Sequence, residues 1–109
     1  MSMKQLFTIA LLCMVTATSA WAGGNAEAGR DKSQPCQACH GENGESTASI
    51  YPKLAGQYED YLVKALTDYR DGNRSNAIMA PFAAALSDQD IEDLAAWYSS
   101  QEGLKVVKP

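Results

Sequence analysis

Cys36 and Cys39 stand on either side of Gln37 and Ala38 in "PCQACHG", residues 35–41, and His40 follows the second cysteine at once. Thiols and an imidazole at this spacing can do three kinds of chemistry. They can cycle as a dithiol pair, supply part of a zinc site, or fix an iron porphyrin to the chain. A structural zinc site needs four protein ligands, usually cysteine and histidine. Here Cys36, Cys39 and His40 are the whole supply, because His40 is the only histidine and the third cysteine, Cys13, lies in an N-terminal apolar run. Adjacent Cys39 and His40 are also poorly placed to face one tetrahedral ion together. A thioredoxin-like dithiol is expected beside a βαβ pattern, and this chain shows no strand alternation. Haem explains the spacing: two thiols one helical turn apart can each form a thioether with a porphyrin vinyl group, and the next histidine reaches the iron from the same side. C-x-x-C-H is the sequence mark of that attachment.

An iron held by His40 alone would keep one face open. Met79 is the only methionine in residues 23–109, and it sits in an expected loop, "NRSNAIMAPFAAA", two residues before Pro81. A methionine is more commonly a flexible core filler; its uniqueness and loop placement favour a sixth ligand instead. His/Met ligation makes an electron-transfer haem of raised potential and leaves no site for a substrate. The axial histidine also needs its other ring nitrogen held, commonly by a backbone carbonyl. "YPKLAG" offers the carbonyl of Pro52 for that purpose, against the plainer reading of a loop proline.

These residues must be positioned by a small domain. The chain opens "MSMKQLFTIALLCMVTATSAWAGG", with Lys4 before an apolar run and small residues ending in Ala20-Trp21-Ala22. That is the pattern of a secretory signal peptide, and the run is shorter than the roughly 20 apolar residues of a membrane span. The expected organisation is a cleaved leader over residues 1–22 and one domain over residues 23–109, exported to the periplasm. The domain carries eight Lys and Arg against thirteen Asp and Glu. Such an acidic balance argues against nucleic acid and against an anionic membrane surface as partners.

Three helices are expected. The first runs over Ala26–Gln34 with Asn25 as N-cap, and Pro35 disturbs it just before Cys36. The second lies in "GQYEDYLVKALTDYRDG", where Tyr58, Tyr61, Leu62, Ala65, Leu66 and Tyr69 recur at helical spacing and Gly72 ends the run. The third lies in "LSDQDIEDLAAWYSSQEG". Ser87 and Asp90 form a capping-box pair there, Ile91, Leu94, Ala95 and Tyr98 its inner stripe, and Gly103 its C-cap. The fold class is all-α. Three stripes this modest bury little by themselves, so a cofactor is expected to fill the middle.

Together, "CQACHG", "YPKLAGQYEDYLVKAL", "YRDGNR" and "IMAPFAAALSDQDIEDLAAWYSSQ" resemble the class I c-type cytochromes. The likeness is to small bacterial single-haem members of the cytochrome c-553 type and to one half of the diheme cytochromes c4. It implies one covalently bound haem c wrapped by three main helices and loops, with Cys36 and Cys39 as thioethers and His40 and Met79 as axial iron ligands. It further implies that the Pro52 carbonyl orients His40 and that Gly29 lets the first and last helices cross against Trp97, where relatives often carry tyrosine. Arg74 and Asn76 are either haem-propionate partners or ordinary exposed polar residues. The function implied is that of a periplasmic electron carrier, a monomer or weak dimer rather than an enzyme. Its donor would be a quinol-oxidising complex or a dehydrogenase, its acceptor an oxidase or reductase. The alternatives are a cytochrome subunit held by one periplasmic dehydrogenase and a five-coordinate haem enzyme or gas sensor.

Overall fold

The computed structural model of the chain describes residues 23–104. The expected leader, residues 1–22, and the last five residues lie outside that range. Five helices follow in order: α1 (Ala26–Lys32), α2 (Gln37–His40), α3 (Glu59–Asp71), α4 (Met79–Ala84) and α5 (Asp88–Ser99), with a 3-10 turn at Gln34–Cys36 between the first two. No strand occurs among the described residues. The three longest, α1, α3 and α5, are the expected three. The two short ones carry Cys39, His40 and Met79, while Cys36 ends the 3-10 turn.

Local sequence explains each boundary. The Asn25 side chain accepts the Ala28 N–H at 2.9 Å, satisfying one of the orphan donors at the start of α1. This helix ends at Lys32, two residues short of the expected Gln34. Pro35 disfavours helical backbone just before it and begins the 3-10 turn instead. Helix α3 starts at Glu59 with Tyr58 as its cap residue, and it stops at Gly72, whose φ of 83° is a left-handed cap that glycine adopts without strain. In α5 the expected capping box is present: Ser87 Oγ accepts the Asp90 N–H and Asp90 accepts the Ser87 N–H, each at 3.0 Å. The expected C-cap at Gly103 is not one. The helix closes at Ser100, and Gly103 lies beyond it against Ala55, whose Cβ would sit 2.6 Å from any side chain there.

Helix α1 crosses α5 at Gly29. A Cβ at this position would collide with the Asp93 carbonyl and come within 2.9 Å of the Trp97 Cβ, so only glycine permits the approach. Asp93 fastens the same crossing. Its carboxylate accepts from the Asn25 N–H at 2.8 Å, the Lys32 ammonium at 2.6 Å and the Gln89 amide at 2.8 Å. Burial pushes this carboxyl up, but the three donors outweigh burial and hold it below the ordinary aspartate value.

The expected inner stripe of α5 is buried throughout: Ile91, Leu94, Ala95 and Tyr98 all face inward. Leu94, Ala95 and Tyr98 meet Leu62 of α3 in one apolar cluster. Ile91 and Leu94 are the largest fully buried apolar side chains, so this core is thin. Leu66 packs against the same cluster, and with Tyr61, Ala65 and Tyr69 it also lines a cavity.

Candidate haem site

Short-range hydrogen bonds hold the motif rigid. The Cys36 N–H donates to the Ser33 carbonyl at 2.8 Å, and α2 then carries Gln37 to His40 through a single turn. Gly41 closes this turn with φ of 81°. The loop that follows folds back on it. Ser46 N–H reaches the His40 carbonyl at 2.7 Å and Thr47 N–H reaches that of Cys39 at 2.9 Å. The Thr47 hydroxyl adds bonds to the Ala38 and Cys39 carbonyls at 3.0 and 3.1 Å. The carbonyls that end α2, which lack partners within the helix, are thus satisfied.

His40 is buried, 7% exposed, and its Nδ1 lies 2.8 Å from the Pro52 carbonyl oxygen. A carbonyl only accepts, so Nδ1 carries the proton and Nε2 keeps its lone pair for a metal. The Cys36 thiol is pushed up by burial, and neither cysteine is in a disulfide.

Met79 stands at the first position of α4 rather than in the expected loop. The Asn76 side-chain oxygen accepts both the Ile78 and the Met79 N–H, each at 2.9 Å. This turn fixes the backbone from which the Met79 thioether projects. Pro81 falls in the first turn of α4, where a backbone N–H has no partner to lose. The role of Asn76 in holding Met79 was missed by sequence reasoning, which weighed it as a propionate partner or an ordinary exposed polar residue. The signal was there in an asparagine three residues before the methionine, a spacing typical of capping side chains.

All five expected site residues, Cys36, Cys39, His40, Pro52 and Met79, line a single cavity of about 460 Å³. Tyr61, Leu62, Ala65, Leu66 and Tyr69 of α3 form one wall, Leu94, Ala95 and Tyr98 of α5 another, and Ile78 and Phe82 flank Met79. Ile78 is 57% and Phe82 48% exposed, which puts an apolar rim at that edge. Arg74 and Asn76 line the cavity too. The Arg74 guanidinium sits 4.7 Å over the Tyr69 ring, and it and Lys53 are the charged residues of a mostly apolar lining. No group of three or more metal-ligating His, Cys, Asp or Glu side chains occurs among the described residues. An all-protein metal site therefore has no donor set here. Two thiols, one imidazole with a free Nε2 and one thioether around a large apolar space suit a flat apolar group with a metal at its centre.

A fold of this kind, with that donor set, defines a haem-bearing cytochrome. The family model for cytochrome c matches residues 26–102, and the chain belongs to the cytochrome c family. It is 52% identical over 82 residues to cytochrome c-554(548) of Halomonas halodenitrificans, covering 72% of this chain and 99% of that protein. The reduced recombinant cytochrome c4 of Pseudomonas stutzeri superposes with a TM-score of 0.71 at 47% identity, over 74% of this chain and 47% of that one. A protein of Thiomonas intermedia (strain K12) named thiosulfate dehydrogenase electron acceptor is 37% identical over 100 residues, 89% of this chain and 44% of its own length. The chain thus spans almost all of the first relative and about half of the other two. The fold is that of class I cytochromes c, similar to one cytochrome c4 domain, and membership carries with it covalently bound haem c, its iron, and electron transfer.

Proposed function

We propose that this protein is a single-haem periplasmic carrier that takes one electron from a redox complex and gives it to another. In this reading Cys36 and Cys39 would hold the haem through two thioethers, His40 and Met79 would ligate its iron, and the Pro52 carbonyl would orient His40. Haem c supplies a reversible ferric/ferrous couple. The protein's own residues set its conditions. The His40 Nδ1–H bond to Pro52 fixes the imidazole's tautomer and makes it a better electron donor. The Met79 thioether favours the ferrous state and raises the potential. The apolar walls from α3 and α5 offer few dipoles that would have to reorganise when the charge changes.

The observation that carries this reading is the convergence of Cys36 from the 3-10 turn, Cys39 and His40 from α2, and Met79 from α4 on one apolar cavity. The leader pattern over residues 1–22 supports export. Contact with partners is brief and salt-sensitive, through the apolar rim of a domain whose overall charge is acidic. A second reading is favoured by the relative named for thiosulfate dehydrogenase: the donor would be one specific dehydrogenase, with this chain as its held cytochrome subunit.

Absorption spectra of the purified protein, oxidised and reduced, with a pyridine haemochrome assay, test the first reading. The expected result is a low-spin, six-coordinate c-type spectrum with both vinyl groups consumed and slow, weak carbon monoxide binding. A high-spin ferrous protein that binds carbon monoxide at once would mean that Met79 does not ligate. Co-purification of a stoichiometric dehydrogenase would support the held subunit.

A further inference from the structure

The Tyr98 hydroxyl is the one buried side-chain polar atom among the described residues with no hydrogen-bond partner. Its residue is 3% exposed and lines the cavity. Leaving a hydroxyl unpaired in such a place costs about 1–3 kcal/mol, and a phenylalanine would fill the same space without that cost. The ring contributes to the core cluster of Leu62, Leu94 and Ala95, against which Cys36 packs. Two polar groups neighbour the hydroxyl closely enough to affect its titration, Ser33 and Cys36, although neither meets it in hydrogen-bonding geometry. Ser33 has at most one acceptor position left, because its oxygen already serves two hydrogen bonds. It donates its only hydroxyl proton to the Arg30 carbonyl at 2.7 Å and accepts from the Gln37 amide at 3.1 Å.

Cys36 is different, because attachment changes its hydrogen bonding. As a thiol it carries a proton of its own. As a thioether it has none, and its sulfur can only accept. A tyrosine hydroxyl beside it then finds what Ser33 does not offer, an acceptor free of competing bonds.

We infer that Tyr98 is a positioning residue for the cofactor, its hydroxyl donating a hydrogen bond to the Cys36 thioether sulfur. The inference rests on the proposed role of Cys36 as a point of attachment. Such a donor draws electron density from the sulfur at the haem periphery. The electron-rich ferrous state gains more from this than the ferric state does, so the bond raises the reduction potential. A tyrosine that served only to pack would leave the potential where it is.

The test uses the matured holoprotein. Tyr98→Phe keeps the ring and removes the donor, and replacing Tyr98 by 3-fluorotyrosine keeps the ring and strengthens the donor. Two quantities are read in each: the midpoint potential by equilibrium titration, and the carbon–sulfur stretching band by Raman spectroscopy with isotopically labelled cysteine. Pyridine haemochrome spectra first establish that both thioethers are intact, which separates failure of this inference from failure of the attachment reading. The expected result is a lower potential in Tyr98→Phe, a higher one with fluorotyrosine, and displaced stretching bands in both. An unchanged potential or an unmoved band in Tyr98→Phe overturns the inference. If Tyr98→Phe does not mature, the fluorotyrosine protein decides on the same two readouts.

Discussion

Where α1 crosses α5, protein meets protein without a gap. Gly29 lets the backbones touch, Asp93 ties together donors from the Asn25 cap, α1 and α5, and Trp97 donates its indole N–H to the Glu42 carbonyl at 3.1 Å. Where α3 and α4 face α5, direct packing is confined to the Leu62 cluster and the rest is open. Tyr61, Ala65, Leu66, Tyr69, Ile78 and Phe82 turn toward a cavity, and Tyr61, Ile78 and Phe82 are about half exposed to solvent. The difference shows which half of the molecule the polypeptide can stabilise by itself. The crossing is complete in side chains and backbone. The cavity wall is an apolar surface whose counterpart is haem, so covalent attachment is part of the folding of that half.

The comparison predicts unequal mutational costs. The largest belongs to the cavity side. Cys36→Ser with Cys39→Ser should abolish covalent haem and with it cooperative thermal unfolding, read by calorimetry; a folded, cooperative, haem-free protein would mean that both halves stand alone. Next comes the crossing itself. Gly29→Ala should cost about 3 kcal/mol or more in chemical denaturation, because the added methyl meets backbone that cannot move aside. A change near zero would show that the crossing is looser than its geometry.

Asp93→Ala should cost about 2–3 kcal/mol, less than a fully buried pair because Lys32 is a third exposed. The sign with pH follows from the depressed carboxyls of Asp93 and Asp90. Hydrogen bonding from the Ser87 backbone is the main cause for Asp90. A carboxyl lowered by folding contributes stability above its unfolded value, near 3.8, and loses it as pH falls through the folded value. Wild-type stability should therefore decline below about pH 4, and Asp93→Ala should flatten that decline. Lys32 is raised by its bonds to Asp93 and Asp90, so its share is present below its unfolded value of 10.5 and fades as pH climbs above it. The smallest effect is expected at Asn76→Ala, about 1 kcal/mol for two lost capping bonds. The larger sign there should be a weaker sixth ligand, seen as faster carbon monoxide binding.

Much of this division was legible in the sequence because it is local. The Asn25 cap, the Ser87–Asp90 box, Gly72 and the inner stripe of α5 each depend on residues within a turn or two of one another. C-x-x-C-H carries its chemistry in five residues. Asp93 was not legible: an acid beside Glu92 in a surface-like helix pattern looks solvated, and only the chain entry at Asn25, 68 residues away, makes it a buried anchor. Helix α4 was hidden by its length of six residues and by Pro81, which reads as a loop signal yet fits a first turn. The α3 stripe is legible as an apolar face, but which of its residues line the cavity and which meet α5 is not, since periodicity reports that a side is apolar and not what covers each position.

Met79 gives the most direct measurement, since residues 23–109 contain no other methionine. In the proton NMR spectrum of the reduced holoprotein, a methyl held on the iron lies in the porphyrin ring current and is shifted far upfield. The account predicts one such methyl resonance in the wild type and none in Met79→Ala, with the six-coordinate spectrum lost at the same time. A wild-type Met79 methyl at the ordinary position of a free thioether would contradict it.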